Sequence, residues 1–189
     1  LTPNNSQGEY YLTDAIAHLV TAGHHVAGHR TDDPLEGEGV NTRVQLQRLQ
    51  AAYQRRTAER LMLAGVTILN PDTTIIGPKV TIGPDTTVEP GAILLGDTAI
   101  GSHCLIGAYS QLKDVRCGDH VEILHSYLND AVVGDGTHIG PYAHLRMHAV
   151  IGKKVRLGNF VEVKKSTLGD GTKAAHLAYL GDAQIGRSV

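Results

Sequence analysis

A period of six residues runs through most of the chain and constrains its fold more than any other feature. An aliphatic residue recurs at every sixth position from Ile76 to Leu112, and a second run, displaced by three residues, extends from Val115 to Val163. An α-helix has about 3.6 residues per turn, so its sixth residue points to the opposite face. The repeat therefore predicts a solenoid of short strands and tight corners, in which three hexads make one coil.

The repeat is interrupted at two places. The displacement between Leu112 and Val115 predicts a bulge or an inserted loop. After Val163 the spacing slips again, with five residues to Leu168 and then twelve to Leu180. Because irregular backbone within a repeat often carries function, we expect the second interruption to contain the site.

A mixed, non-repetitive segment of about forty residues comes first. Residues 11–20 have the pattern of a helix that begins near Thr13 or Asp14. Residues 24–27 have the pattern of a short strand, and residues 31–39 that of a polar loop. A segment of this length is too short for an independent core of this type, so we interpret it as the tail of a larger α/β domain.

A second helix is predicted from Asn41 to Leu63, ahead of the hexads. Thr42 begins a capping-box pattern, with Asn41 as a rival cap, and Gly65 ends the helix. Its apolar stripe consists of Leu46, Leu49, Tyr53 and Leu61. We interpret this helix as a strut between domains.

Composition narrows the classes of function. The formal net charge of -2 gives no electrostatic reason to expect nucleic acid or an anionic membrane as a partner. Cys104 and Cys117 match no zinc or CxxC spacing and are expected as small buried residues. The sequence contains no signal peptide and no apolar stretch of about 20 residues, which predicts a cytoplasmic protein.

Charged residues stand out where the repeat usually has glycine or a neutral residue. In coils of three hexads, one column of the solenoid consists of Leu128, Arg146 and Lys164. Like charges on neighbouring strands are unfavourable. Either both cationic side chains extend into water, or they form an anion site in which Arg forks onto a phosphate and Lys supplies a point charge.

His176 is the candidate general base. It lies in the second interruption, near the cationic column and close in sequence to Lys173 and Tyr179. Imidazole is the most common general base at neutral pH, although a single His is usually structural. Glu162 is a possible orienter of the imidazole.

Other histidines raise the question of a metal. One class of hexad solenoid, a zinc carbonic anhydrase, binds its metal through three His residues. His120 and His125 are five residues apart, with His103 and His138 elsewhere on the solenoid. No third His has a matching place, and stacked surface imidazoles are the simpler interpretation.

The region from Gly158 to Gly186 resembles the signature of one enzyme family. The matching stretches read GNFVEVKKS at 158–166, GTKA at 171–174, HL at 176–177 and YLGDAQIG at 179–186. The family is the bacterial bifunctional glucosamine-1-phosphate acetyltransferase and N-acetylglucosamine-1-phosphate uridyltransferase. QGEYYLTD at 7–14 and GVNTRVQL at 39–46 are similar to the end of its uridyltransferase domain. The resemblance therefore spans the whole chain.

The resemblance implies a mostly β fold. It consists of a left-handed parallel β-helix of hexapeptide repeats, preceded by a linker helix and the C-terminal remnant of an α/β nucleotidyltransferase domain. The implied boundaries are 1–43 for the C-terminal part of the uridyltransferase (pyrophosphorylase) domain, 44–64 for the helical linker and 65–189 for a truncated acetyltransferase domain. The family is a homotrimer that makes UDP-N-acetylglucosamine for peptidoglycan and lipopolysaccharide.

The resemblance also implies roles for single residues. His176 accepts the proton of the glucosamine amine as it attacks acetyl-CoA. Arg146, Lys164 and Tyr179 hold the phosphorylated or uridylylated sugar. Asn41 contacts UDP-N-acetylglucosamine and the Mg²⁺ of the site that uses UTP.

Departures from the family pattern limit what this chain can do alone. Met147 and His148 replace the family's Pro-Gly after Arg146, which predicts a differently shaped turn. The Gly-rich nucleotide loop, the Asp that shares Mg²⁺ with Asn41 and the acetyl-CoA pocket are absent. The chain starts without Met and ends inside a hexad, so we interpret it as an internal fragment that is inactive by itself.

Two other interpretations remain open. The hexads can serve as a trimerisation scaffold with a vestigial sugar site. Alternatively, the protein is a single-function hexad acyltransferase, although the segment 1–43 argues against that interpretation.

Overall fold

The computed structural model describes residues 1–4 and 6–189 and divides the chain into two compact units, 1–43 and 44–189. In the first unit, helix α1 spans Asp14–Thr21, with Thr13 at its N-cap as predicted, and a 3-10 turn spans Pro34–Gly37. The predicted strand at residues 24–27 is wrong. A strand needs a neighbour for its backbone hydrogen bonds, and the described part of this unit contains none.

The described residues of the first unit form no buried core. None of its described residues is buried, and Leu12 on the approach to α1 is 82% exposed. Ile16 and Val20 of α1 are also more than half exposed. The unit therefore gains little from apolar burial, and its assignment to a larger α/β domain stays a prediction.

Helix α2 spans Arg43–Leu63, close to the predicted bounds, and all of it except Arg43 belongs to the second unit. Gly65, with a φ of 93°, ends it as expected. Leu61 is buried, but Leu46 and Tyr53 are 53% and 50% exposed. The predicted stripe therefore packs only near the C-terminal end of the helix. No helix among the described residues has the length and apolar character needed to cross a membrane.

The described residues contain nineteen short parallel strands, numbered in chain order, which wind into three faces. The first face contains β1 (Thr67–Ile68), β4 (Thr87–Val88), β7 (Leu105–Ile106), β9 (Glu122–Ile123), β11 (His138–Ile139), β14 (Arg156–Asn159) and β17 (Lys173–His176). The second face contains β2 (Ile75–Ile76), β5 (Ile93–Leu95), the first halves of β8 (Gln111–Cys117) and β10 (Tyr127–Val133), β12 (His144–Arg146), β15 (Glu162–Lys164) and β18 (Tyr179–Gly181). The third face contains β3 (Thr81–Ile82), β6 (Ala99–Ile100), the second halves of β8 and β10, β13 (Ala149–Ile151), β16 (Thr167–Leu168) and β19 (Gln184–Ile185).

The core is a column of the inward-pointing aliphatic residues of the hexads. Val88, Leu94, Ile106 and Ile139 are each 0% exposed. Alternation along each short strand sends the adjacent side chains outward. The predicted parallel β-helix is thereby confirmed. Tyr127 is an exception to the predicted pattern, since it is 43% exposed.

The first interruption is not a bulge or an inserted loop, so that prediction is wrong. Leu94 lies opposite Leu112, a full three hexads later, but Leu112 lies opposite Leu128, which is two residues short of three hexads. β8 and β10 run through a corner as continuous strands. Val133 is the fourth core position after Leu112, and it comes three residues earlier than four full hexads would place it. The displacement therefore arises because single residues are missing at corners between these two positions.

The second interruption is a shortened coil of the same kind. Strands β14, β15 and β16 pair with β17, β18 and β19 at a constant offset, one residue short of three hexads. Its backbone therefore stays hydrogen-bonded within the faces. The spacing slip does not free the chain to form a site, and any site there depends on the outward side chains.

Both cysteines are buried and free, as expected. Burial raises the pKa of the Cys104 thiol, and it raises that of Cys117 strongly. They act as small core side chains.

Candidate functional site

The second face brings together two of the predicted cations. Arg146 of β12 lies opposite Lys164 of β15, as predicted. Leu128 does not belong to this column, and its predicted place there is wrong. It lies opposite Leu145 and is 0% exposed, because the coil between Leu128 and Leu145 is one residue short of three hexads.

Each cation of this pair has a carboxylate partner. Arg146 Nη2 lies 2.7 Å from Glu162 Oε1, and its Nε donates to the same oxygen at 2.8 Å. Lys164 Nζ lies 3.3 Å from Asp182 Oδ2. The two cationic side chains are only 33% and 28% exposed. They do not avoid each other by extending into water, and nearby opposite charges offset their repulsion.

The pairing also acts on the carboxylates. A hydrogen bond from Lys164 lowers the pKa of Asp182, and the positive charges of Lys164 and Lys165 lower it further. Lys165 Nζ lies 3.5 Å from the other carboxylate oxygen, Oδ1. Asp182 is thus shared by two lysines at this corner.

Glu162 does not orient the candidate base within this chain. Its carboxylate is held by Arg146 on the second face, whereas His176 lies on the first face opposite Asn159. The interpretation of Glu162 as an orienter of the imidazole therefore has no contact to support it.

His176 and Tyr179 flank one corner of the solenoid. His176 ends β17, Tyr179 begins β18, and Leu177 with a φ of 51° forms the bend between them. The side chains of His176 and Tyr179 are both exposed. Tyr179 lies opposite Glu162, so it shares the second face with the Arg146–Lys164 pair, while the imidazole lies around the corner.

The turn after Arg146 is held in an uncommon conformation. Met147 and His148 have φ values of 55° and 61°, which side chains other than glycine adopt at a cost. The His148 Nδ1 lies 2.7 Å from Asp130 Oδ2, and Arg146 Nη1 contacts Met147 Sδ at 3.3 Å. These side-chain contacts therefore hold the turn.

The remaining histidines have other partners. The rings of His103 and His120 stack in parallel, 5.0 Å apart. His125 lies between two tyrosine rings, and His138 Nδ1 lies 2.8 Å from Glu122 Oε2. Within the described residues, no three His, Cys, Asp or Glu side chains are placed to hold a metal ion.

Asn41 belongs to the first unit and is exposed. It stands two residues before α2 begins. As an amide it offers a metal ion one neutral carbonyl oxygen.

A cleft on the first face was not predicted. It has a volume of about 610 Å³, and its lining includes His138, Tyr142, Arg156, Asn159, Phe160 and Lys173. His138 lies opposite Arg156, and Arg156 lies opposite Lys173. In the sequence, Lys173 stands out only as a neighbour of His176. The signal for the pairing of Arg156 with Lys173 is a spacing one residue short of three hexads, which becomes visible once the coil length is known.

Comparison with known proteins places the chain among relatives of known name. Residues 75–171 match the model of the family described as GMPPB C-terminal domain. The chain is 49% identical over 186 residues to the Bifunctional protein GlmU of an Exiguobacterium species, and 49% identical over 184 residues to that of Staphylococcus haemolyticus. These matches cover 98% and 97% of this chain but 41% of each relative. The resemblance drawn from the sequence is confirmed, and the chain spans about two fifths of these relatives.

One solved structure shares the fold. The acetyltransferase domain of PglB from Neisseria gonorrhoeae FA1090 superposes with a TM-score of 0.50 and 17% identity, covering 64% of this chain and 63% of that chain. At this identity the likeness concerns the fold alone. It fits the predicted left-handed β-helix.

Proposed function

The chain belongs to the family described as GMPPB C-terminal domain, and we propose that it is part of a bifunctional enzyme that makes UDP-N-acetylglucosamine. The observation that carries the proposal is the 49% identity to a bifunctional GlmU protein over 98% of the chain. The complete enzyme transfers acetyl from acetyl-CoA to glucosamine-1-phosphate and then uridylyl from UTP to N-acetylglucosamine-1-phosphate. In this proposal, residues 65–189 belong to the acetyltransferase domain, 44–64 to a linker and 1–43 to the uridyltransferase domain.

His176 is the base of the acetyl transfer in this proposal. The glucosamine nitrogen attacks the carbonyl carbon of acetyl-CoA, and the imidazole takes the proton from that nitrogen. The C–S bond then breaks, and the sulfur of CoA leaves as a thiolate that takes the proton back from the imidazolium. The exposed position of His176 at a corner leaves its ring accessible to an amine. Asn159, opposite it on β14, lies within the same part of the first face.

Arg146, Lys164 and Tyr179 hold the sugar phosphate in this proposal. Their common face supports the assignment, but both cations are already paired with carboxylates. A phosphate must therefore compete with Glu162 and Asp182. The 3.3 Å Lys164–Asp182 pair is longer than the 2.7 Å Arg146–Glu162 pair, so Lys164 is the easier cation to recruit.

The uridylyl transfer rests on less of this chain. Asn41 contributes one ligand to Mg²⁺ and a contact to UDP-N-acetylglucosamine. Mg²⁺ sites usually include one or two carboxylates in addition to substrate phosphates. Among the described residues, no three His, Cys, Asp or Glu side chains are grouped to hold a metal ion. The chain alone is expected to catalyse neither reaction.

Assembly and location complete the proposal. The enzyme is a cytoplasmic homotrimer that supplies peptidoglycan and lipopolysaccharide synthesis, and it binds neither nucleic acid nor membrane. One observation favours the rival function, a trimerisation scaffold with a vestigial sugar site. The Arg146–Lys164 pair is already neutralised by carboxylates, as a purely structural pair would be.

Substitution of His176 separates these two functions. In full-length enzyme, His176→Ala should reduce acetyl transfer by about 10²–10⁴-fold and leave uridylyl transfer unchanged. His103→Ala, which changes an exposed histidine stacked on His120, serves as the matched control and should leave both rates unchanged. Acetyl transfer within a few-fold of wild type in the His176 variant would favour the scaffold.

A further inference from the structure

A second row of cations crosses the first face, next to the corner that carries His176. Strands β11, β14 and β17 place His138, Arg156 and Lys173 at matching positions. The neighbouring core residues Ile139 and Leu157 are 0% exposed, so the cationic side chains alternate with them and point outward.

Arg156 and Lys173 differ from the cations of the second face, because no carboxylate among the described residues pairs with them. Neither forms an ion pair with any residue that the structure describes. Glu122, the acidic residue in the same row, is 2.8 Å from His138 and lies opposite it. The positive charge of the other two side chains is therefore uncompensated.

The geometry suits one anionic group. Adjacent strands are about 4.8 Å apart, so the side chains of Arg156 and Lys173 can reach the same phosphate. A guanidinium offers paired N–H donors and an ammonium a point charge. Two unpaired like charges in register are unfavourable, and a bound dianion would relieve that repulsion.

The surrounding cleft has the size and walls of a small-molecule site. Its volume of about 610 Å³ lies within the usual range for ligand pockets. One wall consists of Tyr142 and Phe160, whose rings stack 5.3 Å apart with an interplanar angle of 9°. Both rings remain more than half exposed. The floor includes Gly158, where a Cβ would collide with the carbonyl oxygen of Ala175.

We propose that this first-face cleft binds the phosphoryl group of a phosphorylated small molecule through Arg156 and Lys173, with the Tyr142–Phe160 wall against the rest of the ligand. The shared chemistry is a phosphate monoester beside an apolar or ring-containing group. This site is separate from the Arg146–Lys164 pair, and it does not depend on the function proposed for that pair.

Binding titrations of the full chain test the proposal. The probes are inorganic phosphate, a hexosamine 1-phosphate and adenosine 3′,5′-bisphosphate. Calorimetry measures the affinity of each probe, and NMR shifts of the backbone amides locate its binding site. We expect at least one probe to bind and to shift amides of β14 and β17. The double variant Arg156→Gln/Lys173→Gln should weaken that binding by about tenfold or more, because charged hydrogen bonds are lost.

The source of the phosphoryl group follows from the ranking of the probes. Tighter binding of the hexosamine phosphate assigns the cleft to a sugar phosphate, and tighter binding of the bisphosphate assigns it to a nucleotide-bearing ligand. Equal binding of all three probes assigns it to the phosphoryl group alone.

The matched control removes two positive charges from another part of the solenoid. Lys113→Gln/Arg116→Gln changes two exposed cations of β8 that also lack an ion pair among the described residues. It should leave binding unchanged. Equal weakening by this control, loss of binding only in Arg146→Gln/Lys164→Gln, or no binding of any probe to the wild-type chain would each overturn the proposal. None of these results bears on the loss of acetyl transfer in His176→Ala.

Discussion

The second and first faces each carry an Arg and a Lys on adjacent strands, but the two pairs stand in opposite electrostatic states. Arg146 and Lys164 are held by Glu162 and Asp182 and are about one-third exposed or less. Arg156 and Lys173 are exposed and have no carboxylate partner within the described chain. The same backbone spacing therefore produces a neutralised pair on one face and a charged pair on the other.

An Arg and a Lys stacked on adjacent strands of a repeat therefore do not by themselves form an anion site. What decides the state of such a pair is whether a carboxylate on a neighbouring strand or corner reaches the cation. On the second face, Glu162 lies opposite His144 and reaches Arg146. Asp182 follows Gly181, which lies opposite Lys164. On the first face the acid of the row, Glu122, is held by His138. On the second face a ligand must displace a carboxylate. On the first face it meets cationic donors that no carboxylate of the described chain holds.

The largest effect is expected when the carboxylate that pairs with Arg146 is removed. Glu162→Gln should lower the free energy of unfolding by about 1 kcal/mol, since a charged hydrogen bond at a partly exposed site is lost. It should also raise the affinity of the second face for phosphate. Chemical denaturation at neutral pH measures the first effect.

The matched control for this change is Glu59→Gln, on the exposed part of α2. It should leave stability unchanged within about 0.5 kcal/mol. Equal stability of the two variants would mean that the Arg146–Glu162 contact contributes nothing in solution.

Charge reversal at the lysine of each pair should change stability by a smaller amount. Lys173→Glu places a carboxylate opposite Arg156 and should stabilise the fold by about 0.2–1 kcal/mol. Lys164→Glu places one beside Asp182 and Glu162 and should destabilise it by a similar amount. Thermal unfolding of both variants in parallel gives the signs. Two changes of the same sign would contradict the difference between the faces.

The smallest expected effect concerns Asp182, whose pKa is lowered mainly by its hydrogen bond from Lys164. Because the folded-state pKa is below the unfolded value of about 3.9, the contribution of this group is present above that pH. It is lost as the pH falls through the lowered folded-state value. Lys164→Gln should move the Asp182 pKa back toward the ordinary range, as NMR titration of the carboxyl carbon would record. An unchanged pKa would show that the pair is absent in solution.

Much of the fold could be predicted from the sequence because the hexads impose one outward and one inward direction on every strand. The stacking of Arg146 on Lys164 followed correctly from a coil of three full hexads. The same count failed for Leu128, because the coils between Leu112 and Leu145 are one or two residues shorter than that. A period measures the average coil, while register depends on each corner.

The first-face cleft was hidden by the same effect. Counting three full hexads from Arg156 leads to Ala174, so the pairing with Lys173 is invisible until the coil is known to be one residue shorter. The pairing of the cations with Glu162 and Asp182 could not be predicted from the sequence either. Their ion pairs depend on side-chain direction across neighbouring strands, which residue spacing alone does not determine.

The two strands that run through a corner have a consequence for how the molecule comes apart. A solenoid unwinds from its ends, since each coil contacts only its neighbours. Most neighbouring strands here pair at two or three positions, but β8 and β10 pair at six. This longer pairing lies in the middle of the β-helix, so unfolding that starts at either end should stop at β8 and β10. The centre of the β-helix is therefore expected to be the last part to lose its strand pairing.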